Sequence, residues 1–161
     1  MLRISKMADY GTSILSAMAG EPGSTFSAAE LAQLTGLPLP SVSKILKILQ
    51  REGLVVSLRG TLGGYRLARP AGLISTVDII SALDGPLGVT ECSVREGLCR
   101  REGHCRERAP WQMINRAMLD ALARITLQQM VAPRPAAQIS TVDFLSVLRV
   151  ARAPVKHGES A

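Results

Sequence analysis

The chain has 161 residues, 47% hydrophobic but only 3% aromatic, so its core must be built from Leu, Ile, Val, Ala and Met, which favours helices. Nineteen Lys and Arg against thirteen Asp and Glu leave a net charge of +6, a balance that suits a polyanionic partner such as nucleic acid. No segment reads as a signal peptide or is long enough to span a bilayer, so a cytoplasmic protein with no membrane partner is expected.

In chain order, Ile4, Met7, Gly11, Ile14, Leu15 and Met18 recur at helical spacing and predict a helix over 2–19, stopped by Gly20-Glu21-Pro22-Gly23-Ser24. Ser27-Ala28-Ala29-Glu30 has the form of a capping box and opens a short helix over 28–34, which ends at Thr35-Gly36. After Leu37-Pro38-Leu39-Pro40 a third helix is expected over 41–51, with Val42, Ile45, Leu46 and Leu49 as its apolar face. Leu54-Val55-Val56-Ser57-Leu58 and Tyr65-Arg66-Leu67-Ala68 read as strands joined by the glycine-rich tip 59–64, a β-hairpin. Pro70 and Gly72 then mark a break.

Ile74-Ser75-Thr76-Val77-Asp78 recurs as Ile139-Ser140-Thr141-Val142-Asp143, and an apolar helical run follows each, over 79–83 and 144–148. Shared capping chemistry, a hydroxyl before the helix and an acid in its first turn, accounts for the echo without a duplicated domain. Pro110 opens a long helix expected to reach about Met130, in which Trp111, Ile114, Met118, Ala121 and Ile125 form a heptad seam. So long a seam on so small a domain points to a homodimer, against the simpler reading of a helix packed on its own domain. Ala132-Pro133-Arg134-Pro135 breaks it, and a polar ending follows Ala151. The expected organisation is a winged-helix domain over 1–72, a loop and dimerisation helix over 73–130, a C-terminal helix over 131–150 and a flexible tail over 151–161.

Residues 28–51 have helix-turn-helix spacing: Gly36 sits in the turn, where a positive φ is cheap, and Ala32 lets the helices approach. The outer face of the second helix offers Ser41, Ser43, Lys44, Lys47 and Arg51, hydroxyls and long cations that can reach phosphates and base edges. Arg59 and Arg66 flank the hairpin tip, so the hairpin reads as a wing that can lie along the backbone or in the minor groove of operator DNA. The fold class expected is mainly α with a small β-hairpin. Lysines on a helix face are also common as a merely solvated surface, so it is the combination that carries this reading.

All three cysteines, Cys92, Cys99 and Cys105, fall within fourteen residues of a polar segment punctuated by Gly97 and Gly103. Clustered thiolates suit iron–sulfur clusters or zinc, and an odd count argues against a disulfide scaffold. The gaps of six and five residues lack the Cys-x2-4-Cys knuckle of structural zinc, although His104 could complete such a set. Cysteines among neighbouring arginines leave direct thiol oxidation as a third reading. No paired carboxylates, nucleophile–base constellation or phosphate loop is present, and Gly60-Thr61-Leu62-Gly63-Gly64 lacks the ending of a P-loop, so an enzyme is not expected.

The opening Leu2-Arg3-Ile4-Ser5-Lys6, Ala8-Asp9-Tyr10-Gly11, the helix over 41–51, the wing over 59–67 and Leu83-Asp84-Gly85-Pro86 ahead of the cysteines resemble the Rrf-type family of bacterial winged-helix regulators, with its IscR, NsrR and RirA branches. The resemblance covers about residues 1–130, and the early Ala8-Asp9-Tyr10-Gly11 is most similar to regulators of the SUF iron–sulfur assembly system. It implies a dimeric repressor that senses cluster status, iron, oxygen or nitric oxide. Its [2Fe–2S] or [4Fe–4S] cluster would sit on Cys92, Cys99 and Cys105, with Arg95, Arg100 and Arg101 offsetting the charge. Where the IscR branch has a histidine three residues after the last cysteine, this chain has Arg108, which cannot ligate. Asp9 matches the first-helix aspartate that the NsrR branch contributes across the dimer; the plainer reading is a surface carboxylate near Lys6. Glu107 and His104 are the other candidates in the loop. The alternative function is a cofactor-free winged-helix regulator switched by thiol oxidation or a small ligand.

Overall fold

The structure, a computed structural model, describes residues 4–60, 63–100 and 102–132. The helix expected over 131–150 and the tail over 151–161 therefore lie, beyond residue 132, outside the described residues. Helix α1 (Lys6–Gly20) starts four residues later than expected because Ser5 caps it, its Oγ accepting from the N–H groups of Met7 and Ala8 at 3.1 Å each. Helix α2 (Ala28–Thr35) opens with the expected box: Ser27 Oγ accepts from Glu30 N–H at 3.2 Å, and the Glu30 carboxylate accepts from Ser27 N–H at 2.6 Å. That backbone bond, helped by the hydroxyl, holds the Glu30 carboxyl below its ordinary range.

Gly36 takes φ +67, the left-handed conformation that ends α2, and Leu37 N–H returns to Ala32 O at 3.2 Å. Helix α3 (Leu39–Arg51) starts two residues earlier than expected, since Pro40 sits in the first turn, where its missing N–H costs nothing. Strands β1 (Val55–Leu58) and β2 (Gly64–Leu67) pair antiparallel, with Val55 opposite Leu67 and Leu58 opposite Gly64. A single residue ahead of α2 extends this hairpin on its far edge: Phe26 exchanges two main-chain bonds with Tyr65, at 2.9 and 2.7 Å.

A 3-10 turn (Ala71–Leu73) leads into α4 (Thr76–Asp84), where Ser75 and Asp78 form a second capping box. Then follow the short α5 (Glu91–Val94), a 3-10 turn (Glu102–His104), α6 (Arg108–Ala123) and α7 (Leu127–Val131). The single helix expected over 110–130 is thus two. Thr126 is extended and restarts the chain with a third capping box, accepting from Gln129 N–H at 3.3 Å and donating its own N–H to Gln129 Oε1 at 2.9 Å. The step at 125–127 is pinned to another segment: Leu127 N–H reaches Ile74 O and Thr76 N–H reaches Ile125 O, both at 2.8 Å. Main-chain groups used this way cannot also serve a continuous helix.

The core gathers Ile14, Leu15 and Met18 of α1, Phe26, Leu31, four residues of α3, Leu54 and Val55. Ile74, Ile79 and Leu127 join the same cluster, so one core crosses the boundary expected at residue 72. Helix α1 is central, packing on α2, α3, α4, α7 and β2. Gly11 permits this: a Cβ there would run into the Leu83 side chain of α4. No helix among the described residues is long and apolar enough to cross a membrane.

Candidate nucleic-acid interface and cysteine loop

At about 100° per residue, burial of Val42, Ile45, Leu46 and Leu49 turns Lys44, Lys47 and Arg51 to the opposite side of α3, and all three are exposed. Ser41 and Ser43 lie half-buried on the flanks of that face. Arg51 pairs with Glu52 at 2.9 Å, which leaves the two lysines as the open cations of this face among the described residues. Gln50 ties the helix to the wing by donating to Ser57 Oγ at 2.9 Å. Arg59, at the end of β1, is exposed, and Thr61 and Leu62 of the tip lie outside the described residues. Arg66 is exposed on β2 but also lines a groove at the base of the hairpin, toward the end of α1.

The segment between α4 and α6 carries the cysteines. Cys92 is buried on α5, with its Sγ 3.3 Å from Thr90 Oγ1. Cys99 is half-buried, and Cys105 is half-buried with its Sγ donating to Glu107 Oε2 at 3.5 Å. None is in a disulfide. Gly97 takes φ +82 between the first two, a turn that favours glycine. As a donor set, three free thiols on one loop suit a thiolate-ligated group. Their placement does not gather them: among the described residues no group of three His, Cys, Asp or Glu side chains stands close enough to hold a metal ion. His104 is exposed before α6, and Asp9 is exposed in the first turn of α1.

Three contacts fasten this loop to the rest of the fold, and none was anticipated. Asn115, the one buried polar residue among those described, accepts from Val89 N–H through Oδ1 at 3.1 Å and so binds α6 to the chain ahead of Cys92. Arg108 pairs with Glu96 at 2.9 Å across the loop. At its start, Asp84 accepts from the Ser5 N–H at 3.2 Å and from the Ser5 hydroxyl, joining the end of α4 to the cap of α1. A lone Asn inside a seam of Trp111, Ile114 and Met118 was the available signal for the first of these. Trp111, Met113 and Ile114, in the N-terminal half of α6, are 41%, 67% and 46% exposed, so this end carries uncovered apolar surface.

The arrangement agrees with what this chain is similar to. The Rrf2 family model, described as an iron-dependent transcriptional regulator, matches residues 4–133. The HTH-type transcriptional regulator IscR of Xenorhabdus nematophila is 33% identical over 103 residues, 64% of this chain. That match spans 62% of the relative's own length, less than two thirds. IscR of Pectobacterium carotovorum is 28% identical over 128 residues, covering 80% of this chain and 77% of that protein. Among solved structures, CymR, the global cysteine regulator of B. subtilis, superposes with a TM-score of 0.66 at 30% identity, over 84% of this chain and all of that one. IscR of T. potens gives 0.63 at 28% identity, over 86% and 93%. These relatives are transcription regulators rather than enzymes. With a helix-turn-helix, a wing and a family match over most of its length, the chain belongs to the Rrf2 family of transcriptional regulators.

Proposed function

We propose that the protein is a homodimeric repressor that reads a two-fold operator through α3 and the wing and is controlled by an iron–sulfur cluster held on its cysteine loop. The observation that carries the DNA half is the open face of Lys44 and Lys47 on a helix whose opposite side is fully committed to the core. Lysines so placed neutralise phosphates, while Ser41 and Ser43 on the flanks and Arg59 and Arg66 on the wing set register and groove contact. Dimerisation uses the exposed Trp111, Met113 and Ile114 of α6 and fixes the half-site spacing. The sensing half rests on the donor set. Cys92, Cys99 and Cys105 would hold the cluster, Asp9 of the partner subunit would supply an oxygen ligand, and cluster assembly genes are the natural targets. Such a group, when bound, would supply a centre that iron shortage, oxygen or nitric oxide can remove. The residues around it do the transmitting: Gly97 gives the loop its turn, Asn115 holds its upstream arm to α6, and Asp84 ties its start to Ser5 at the head of α1.

The separated thiols favour one further reading, a cofactor-free regulator switched by thiol oxidation. Anaerobic purification decides between the two. Bound iron and sulfide, lost in Cys92→Ala, Cys99→Ala and Cys105→Ala and weakened in Asp9→Ala, support the cluster. A colourless, metal-free dimer that binds operator DNA fully overturns it. An unchanged cluster in Asp9→Ala removes the aspartate alone.

A further inference from the structure

A groove of about 800 Å3 opens where α1 ends, between the base of the hairpin, the 3-10 turn at Ala71–Leu73 and α7. Met18, Leu67, Ala71 and Val131 give it an apolar floor, and Arg66 and Arg69 stand on its wall. Arg69 is engaged by Asp78 at 3.0 Å. Apolar surface lies next to it as well, with Leu73 on the same turn 68% exposed and Met130 on α7 41% exposed. Apart from Arg66, the regulator reading uses none of this surface, and uncovered apolar area of this kind marks a docking site.

The described chain ends on the groove, since Val131 and Ala132 both line it, and residues 133–161 follow. Within them, Ile139-Ser140-Thr141-Val142-Asp143 repeats Ile74-Ser75-Thr76-Val77-Asp78. The earlier copy shows what these five residues do: Ile74 is fully buried, Ser75 caps, Asp78 closes the box and a helix starts. The same start signals at 139–143 predict from sequence a helix on which Phe144, Leu145 and Leu148 would share one face. The six residues 133–138, with prolines at 133 and 135, reach about 20 Å when extended, enough to bring that face back over the groove.

We propose that the groove is the docking site of the chain's own segment 139–150, with Phe144 and Leu148 seated on the Met18–Leu67–Ala71 floor. Because Arg66 belongs both to the wing and to the groove wall, the docked segment bears on the hairpin from behind. The proposal needs neither a cluster nor DNA, so its failure is separate from theirs.

The test places the photo-crosslinking residue p-benzoylphenylalanine at Phe144 in the full chain, mixed with isotope-labelled chain, and maps the adducts by mass spectrometry. The expected result is adducts within one chain at Met18–Gly20 and Leu67–Gly72. Adding Leu148→Glu puts a charge into the apolar site and should lower their yield roughly tenfold or more. Adducts found only between chains, confined to other surfaces, absent, or unchanged by Leu148→Glu overturn the proposal.

Discussion

Replacing Lys44 and Lys47 together with alanine tests the DNA-reading face directly. Both side chains are exposed, so folding should be almost unaffected, with unfolding free energy within about 0.5 kcal/mol of the parent. Each lysine that neutralises a phosphate adds about 0.9 to the slope of log affinity against log salt. With two lysines in each of two subunits, the proposed dimer loses a slope of about 3.6. Over a fourfold rise in salt the parent should therefore lose roughly 150-fold more affinity than the variant. Fluorescence anisotropy with labelled operator across a salt series measures this. A slope smaller by only about 1.8 means that two of the four lysines, not all four, neutralise phosphates. An unchanged slope refutes the assignment of this face of α3 to DNA.

Three further outcomes follow from local geometry. Leu127→Ala removes a fully buried side chain from the core shared by α1, α4 and α7, at a cost of about 3–4 kcal/mol in denaturant unfolding; a loss under about 1 kcal/mol would show that α7 is not docked there. Gly36→Ala meets no neighbouring atom, so its cost is the left-handed backbone alone, about 1–2 kcal/mol, and equal stability would contradict that turn. Glu30 has its folded pKa held low, so the unfolded chain binds its proton first and the stabilisation is present above 4.5 and lost as pH falls through the folded value. The melting-temperature advantage of the parent over Glu30→Gln should thus shrink on acidification below 4.5, whereas a gap independent of pH would rule out the capping charge as its source.

The helix-turn-helix and wing were legible because their signals are local. The Ser27–Glu30 box, Gly36 and the period of Val42, Ile45, Leu46 and Leu49 each act within one turn of helix. The split of 110–130 was also written locally, as Thr126-Leu127-Gln128-Gln129, but a continuous apolar seam masked a capping box whose main-chain partner segment lies about fifty residues upstream. Phe26 could not be read, since a strand of one residue has no period and its pairing with Tyr65 is decided by the packed wing. For the cysteines, sequence names the donors and their loop. Where the sulfurs stand relative to one another depends on how Asn115, Arg108 and Asp84 hold the segment, and spacing does not encode that.

The pairing of Ile125 and Leu127 with Ile74 and Thr76 gives α6 a fulcrum. One end of the helix is fastened to the core by main-chain bonds, and the other carries exposed apolar surface and the arm that leads back to the cysteines. Sixteen residues make a lever about 24 Å long, so a tilt of about 10° at the fulcrum moves the far end by about 4 Å. In the proposed dimer, a small contraction of the cysteine loop would in this way become a displacement large enough to reset the distance between the two reading heads.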